Sequence, residues 1–127
     1  MATRSRIAIE KENGSVNSIY CHFDGYPEYV GKTLQNDYTD RSKVEALIAL
    51  GDISELRSTI ETTVAYHRDR GEDKHSISYL SVEGLFNLGF ESGEEYVYCL
   101  TKDNKWLVSS GGPVANLFLA LEGEDVL

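Results

Sequence analysis

Apolar and polar residues alternate over two stretches near the start of the chain. In Arg4–Glu10, Ile7 and Ile9 alternate with Arg4, Arg6 and Glu10; in Ser18–Asp24, Ile19, Cys21 and Phe23 alternate with Ser18, Tyr20, His22 and Asp24. Asn13-Gly14 between them predicts a hairpin. A two-residue Asn-Gly loop would set Ile7 opposite Tyr20 and mix the faces. A three-residue loop of Glu12, Asn13 and Gly14, with Gly14 left-handed, sets Ile7 opposite Ile19 and Ser5 opposite Cys21. A one-residue slip exchanges faces, so burial selects the second register. It directs Ile7, Ile9, Ile19, Cys21 and Phe23 to the core. On the other face it gathers Arg4, Arg6, Tyr20, His22 and Asp24, with Arg6 beside Tyr20 and Arg4 near His22.

Farther along, Pro27 suits the first turn of a helix, and Tyr26, Val30, Leu34 and Tyr38 recur at helical spacing. Thr39 or Asp40 can cap a second helix carrying Val44, Leu47 and Ile48, with Gly51 as its stop. Ile53 and Leu56 read as a docking turn. Thr62–His67, rich in β-branched and aromatic residues, reads as a strand. Ile77 and Tyr79 fit a short strand, and Ser81 can cap a short helix through Leu85, Phe86 and Leu88. Tyr96–Leu100 and Trp106–Val108 flank a second turn, and Val114–Leu121 is an apolar run, helix or strand. The expected fold is a single α+β domain over residues 1–127. It has an antiparallel sheet from two hairpins plus a middle strand, with two or three helices packed on one face.

At 127 residues the chain can bury roughly two-thirds of its unfolded surface without a disulfide or metal. The start lacks an apolar leader and no stretch approaches a membrane span, so a cytoplasmic location is expected. Cys21 and Cys99 fall at inward strand positions and are expected to be buried free thiols. The net charge of −9 opposes general binding of long nucleic acid, which needs a basic field, but leaves room for a small anionic ligand met by a few local cations.

An aromatic ring beside guanidinium groups suits a nucleotide, whose base stacks while its phosphate is paired. Tyr20, Tyr26, Tyr29 and Trp106 are the candidate stacking groups. Arg6, Arg68 and Arg70 are candidate phosphate partners, His22 and Asp24 candidate readers of base edges, and His67 a further candidate ligand-binding residue. His22-Phe23-Asp24 and His67-Arg68-Asp69 are also H-x-D pairs, which on strands would share a face and offer an alternative reading as the metal ligands of a phosphodiesterase. The exposed acids Glu91, Glu94, Glu95, Glu122, Glu124 and Asp125 offer a third reading, an acidic inhibitor of a host defence protein.

Ser5–Glu10, Ile19–Pro27 and Ala65–Asp73, together with Val44–Ser54, resemble a family of small proteins encoded by bacteriophages and prophages. That family is similar to the viral anti-CBASS sponges, which bind a cyclic-oligonucleotide immune signal without cleaving it. The resemblance implies a non-catalytic protein that sequesters a cyclic dinucleotide or related second messenger in the host bacterial cell and assembles as a homo-oligomer. A dimer or tetramer also fits the eight tyrosines and one tryptophan. No cofactor, metal or catalytic residue is implied. The site residues are read from this chain and are not carried over from the family.

Overall fold

The computed structural model describes residues 2–123; Glu124, Asp125 and their neighbours lie outside the described residues. The hairpin comprises β1 (Ser5–Glu10) and β2 (Val16–Cys21), and a π-type turn at Pro27–Gly31 runs into α1 (Lys32–Asp37). There follow α2 (Arg41–Ala49), β3 (Ile53–Glu55), β4 (Val64–Ala65), α3 (Tyr66–Arg70), β5 (Ile77–Tyr79) and α4 (Val82–Leu88). The chain continues through β6 (Tyr96–Leu100), β7 (Trp106–Ser109), β8 (Ala115–Asn116) and α5 (Leu117–Leu121).

Among the described residues all eight strands join one sheet in the order β4-β3-β2-β1-β6-β7-β8, with β5 also paired to β2. The hairpin has the register that burial selects: Ile7 faces Ile19, Arg6 faces Tyr20 and Ser5 faces Cys21. Gly14 takes φ +88° at the left-handed loop position, where a Cβ would be costly.

The sheet is mixed, which corrects the antiparallel expectation. β1 runs parallel to β6, and β2 runs parallel to β3. The helices lie on both faces, which corrects the one-sided layering. Val30, Leu34, Val44, Leu47, Ile48 and Leu117 bring the π-type turn, α1, α2 and α5 onto the face of Ile7, Ile19 and Cys21. Leu85 of α4 packs on the opposite face, against Ala8, Val16, Val97 and Cys99. Those strand positions are apolar on both sides, as a doubly covered sheet requires.

Local chemistry explains most element ends. The Asp40 carboxylate accepts the Ser42 N–H to start α2, and the Ser81 hydroxyl accepts the Gly84 N–H to start α4. Ile53–Glu55 pairs as a strand instead of forming a docking turn. The strand expected over Thr62–His67 shortens to Val64–Ala65 and gives way to α3. Gly71, at φ +70°, closes that helix: its N–H donates to the His67 carbonyl and the Glu72 N–H to the Tyr66 carbonyl. The Val114–Leu121 run is both a strand and a helix, β8 then α5. Phe23, expected inside, is 41% exposed because β2 ends at Cys21 and Asp24 turns the chain with φ +57°.

Gly25 sits where the hairpin meets the first residues. Its N–H donates to the Thr3 carbonyl, and the Tyr98 hydroxyl donates to its carbonyl. A Cβ there would lie 2.6 Å from the Ser5 Cβ and 2.8 Å from the Thr3 oxygen. Gly25→Ala is expected to destabilise the fold by about 1–3 kcal/mol through this overlap, read as a lower midpoint in urea unfolding.

Cys21 and Cys99 are buried free thiols. Burial pushes each thiol up to about 12 from 9.0. They are expected to resist a thiol reagent in the native state and to react on unfolding. The unfolded thiols ionise near pH 9 while the native ones do not, so their stabilising contribution is complete below that pH and declines as pH rises further. Urea midpoints measured across pH 8 to 11 check the direction.

Candidate functional site

The face carrying α4 is covered over only part of the sheet. Toward β2, β3 and β4 it is lined by half-buried aromatic and polar side chains. Pairing places them in rows. Cys21 is registered with Ile53, and Ile53 with Ala65; all three point into the main core. Their chain neighbours therefore share the opposite face: Tyr20, Asp52 and Tyr66 in one row, His22 and Ser54 in the next, which Arg4 borders because Ser5 is registered with Cys21. Backbone hydrogen bonds fix the rows. The Tyr66 N–H donates to the Asp52 carbonyl, the His22 N–H to the Ile53 carbonyl and the Phe23 N–H to the Ser54 carbonyl.

Asp52 anchors the arrangement. One carboxylate oxygen accepts the Tyr20 N–H at 2.8 Å and the other accepts His75 Nδ1–H at 2.9 Å. The Tyr20 hydroxyl lies 2.8 Å from His22 Nδ1. The His22 ring meets Phe23 edge-on, with centroids 4.6 Å apart. Across the face, the Arg70 guanidinium lies 5.2 Å from the Tyr66 ring centroid, and its Nη2 is 3.5 Å from Ser54 Oγ. Burial raises the Tyr20 hydroxyl above its ordinary value; Arg4 partly offsets that, and Tyr66 adds to it. The face thus combines two phenol rings, an imidazole and two arginines in a chain that is otherwise acidic.

Of the residues singled out in the sequence, Tyr20, His22 and Arg70 come together here. Arg6 does not remain on an open face, which corrects the expected hairpin surface. Its side chain is 1% exposed and its Nε donates to Glu94 Oε2 at 2.7 Å, while Nη1 donates to Ser18 Oγ at 3.0 Å. Arg68 is engaged by the Asp69 carboxylate and by the Ile60 and Thr63 carbonyls. His67 is exposed, its Nδ1–H donating to the Glu72 carbonyl. Trp106 is buried in the main core, donating through Nε1 to the Tyr38 carbonyl, and Tyr29 packs against the same core. Tyr26 is exposed beside the π-type turn and Asp24 is half-buried at its left-handed position.

The H-x-D pairs do not form one cluster. His67 and Asp69 lie on α3, where residues two apart do not face each other. Hydrogen bonds from Arg68 and then from the Ala65 N–H hold the Asp69 carboxyl below its ordinary value. Among the described residues, no group of three or more His, Cys, Asp and Glu side chains is placed to hold a metal ion. Glu94 leaves the acidic surface by pairing with Arg6, whereas Glu91, Glu95 and Glu122 are exposed. A cavity of about 530 Å³ lies between the hairpin and α2, but its Arg41 is already bound to the Glu10 and Thr101 carbonyls, and it includes Glu12 and Glu45. It lacks aromatic side chains.

Sequence reading missed Asp52, Ser54 and Tyr66 as members of the face. The pattern Asp52-Ile53-Ser54 holds one alternation, too short to announce a strand; Tyr66 stood next to the histidine that drew attention instead. No helix among the described residues is long and apolar enough to cross a membrane. Neither a family model, nor a curated protein, nor a solved structure matches the chain.

Proposed function

We propose that this is a non-catalytic binding protein that sequesters a cyclic dinucleotide or related nucleotide signal, in the manner of a viral counter-defence sponge acting in the bacterial cytoplasm. The observation that carries the reading is the uncovered sheet face, where Tyr20, His22, Tyr66, Arg4 and Arg70 stand together. Each base stack on such a ring supplies about 1–3 kcal/mol, and each charge-assisted hydrogen bond about 1.5–3 kcal/mol. A few of each supply the roughly 10 kcal/mol of tens-of-nanomolar binding, before the entropy of association is charged. With a net charge of −9, long-range attraction of phosphate is weak, so affinity depends on these short-range contacts.

The test is incubation of excess protein with a panel of cyclic dinucleotides, followed by calorimetry, denaturation and chromatography of the released ligand. Tight binding with intact recovery supports sequestration. A linear product that disappears with EDTA would replace it with a metal-dependent phosphodiesterase. Binding of a host protein through the exposed acids, with no nucleotide retained, would replace it with the acidic inhibitor. The same proposal includes assembly as a dimer or tetramer, for which Val114 and Phe118, 46% and 52% exposed, supply apolar surface. A monomeric mass across micromolar dilution in sedimentation would reject that part alone.

A further inference from the structure

The contact between Tyr20 and His22 carries more than proximity. One proton lies between the phenol oxygen and the imidazole Nδ1, 2.8 Å apart. A phenol is the better donor and a neutral imidazole nitrogen the better acceptor, so the hydroxyl donates. Among the described residues the Tyr20 hydroxyl makes this one hydrogen bond, so nothing else competes for its proton. Burial keeps the phenol protonated and able to donate. With Nδ1 accepting, the neutral ring must carry its own proton on Nε2. Among the described residues, Nε2 has no hydrogen-bond partner.

The ring's setting says which part of a ligand that donor would meet. Phe23 packs against it with centroids 4.6 Å apart, and the Tyr20 ring, two residues earlier on the same face, lies 5.9 Å away. The cations stand elsewhere on the face, Arg70 against Tyr66 and Ser54, and Arg4 in the hydrogen bond to the Ser92 carbonyl. A neutral donor between aromatic rings suits the edge of a base, while the arginines suit phosphate oxygens. Both adenine and guanine present an N7 ring acceptor on one edge, where cytosine presents an N4–H2 donor and uracil an exocyclic O4.

We propose that Tyr20 is a positioning residue that holds His22 as its Nε2–H tautomer, and that this donor selects a purine by its N7 acceptor. The inference rests on the nucleotide reading above for its ligand, but its first half concerns the free protein. Two-bond ¹H–¹⁵N correlation of the histidine rings in ligand-free protein tests that half. His22 is expected as Nε2–H in the native chain and as a mixture of tautomers in Tyr20→Phe, a variant that keeps the ring; thermal unfolding confirms that it folds. An Nδ1–H tautomer in the native chain overturns the inference.

Calorimetry with cyclic di-GMP, cyclic di-AMP, cyclic di-CMP and the 7-deazaguanine analogue of cyclic di-GMP tests the second half. The deaza analogue is expected to bind about tenfold more weakly than its parent, the loss of one hydrogen bond that leaves a donor unpaired. The cytidine ligand, which sets an N4–H2 donor against the His22 donor, is expected to bind more weakly than either purine ligand. Equal affinity for the parent and its deaza analogue would overturn purine selection while leaving sequestration in place. If none of the four binds, sequestration of cyclic dinucleotides fails, and the selection claimed for it fails as well.

Discussion

Glu94→Leu is expected to lower the unfolding free energy by about 3–5 kcal/mol, the cost of leaving one member of a buried ion pair alone. Arg6 and Glu94 side chains are each 1% exposed, and their 2.7 Å contact joins β1 to the segment just before β6. The pair is part of a longer chain of bonds. The second Glu94 oxygen accepts the Ser92 N–H. Arg6 also donates to Ser18 Oγ, which donates to the Ile77 carbonyl and so ties β5 to β2. Removing the carboxylate strands a guanidinium beside the Leu85 and Val97 cluster, with no solvent to take the charge. Arg6→Met in the Glu94→Leu background is expected to recover most of the loss, because the stranded charge is then gone. Urea unfolding of the two single variants and the double one measures this. Single-variant losses below about 1 kcal/mol would mean that the pair behaves as a surface salt bridge.

That pair also marks the limit of what the chain's pattern discloses. The hairpin register was legible because Ile7, Ile9, Ile19 and Cys21 can share a dry face in only one pairing, and Gly14 can supply the turn. Helix starts at Asp40 and Ser81 were legible because capping depends on residues two or three positions away. Arg6 looked like a surface cation because its partner stands 88 residues later. Local alternation gives no sign of such a neighbour. The parallel pairs β1–β6 and β2–β3 were hidden for the same reason: their register is set by crossovers through helices, not by a turn. At Tyr66–Arg70, aromatic and β-branched neighbours favoured a strand, but Gly71 and the Asp69 carboxylate close one helical turn instead. Tyr20 and His22 were found because they lie in a long alternating run. Tyr66 reaches them only through Asp52, across a strand of three residues.

Tyr66→Ala is expected to weaken binding of a cyclic dinucleotide by about 1–3 kcal/mol while leaving the fold in place. The side chain is half-buried and belongs to neither apolar cluster, and its backbone N–H to the Asp52 carbonyl survives the substitution. Two losses combine in this variant. The stacking surface goes, and so does the ring over which the Arg70 guanidinium lies, 5.2 Å from its centroid. Arg70→Ala should therefore cost less in the Tyr66→Ala background than in the native chain, a coupling that a double-mutant cycle measures. Salt separates the two roles, because screening weakens the arginine–phosphate contribution and leaves stacking largely intact. Tyr66→Phe is expected to bind as the native chain does, since it retains the ring. Arg68→Ala is the control: its guanidinium is committed to Asp69 and to the Ile60 and Thr63 carbonyls of the segment before β4, so nucleotide affinity is expected to stay within about twofold, the effect of an ordinary substitution outside the contact. Loss of binding in Arg68→Ala with none in Tyr66→Ala would move the site off the sheet face and onto the outer side of α3.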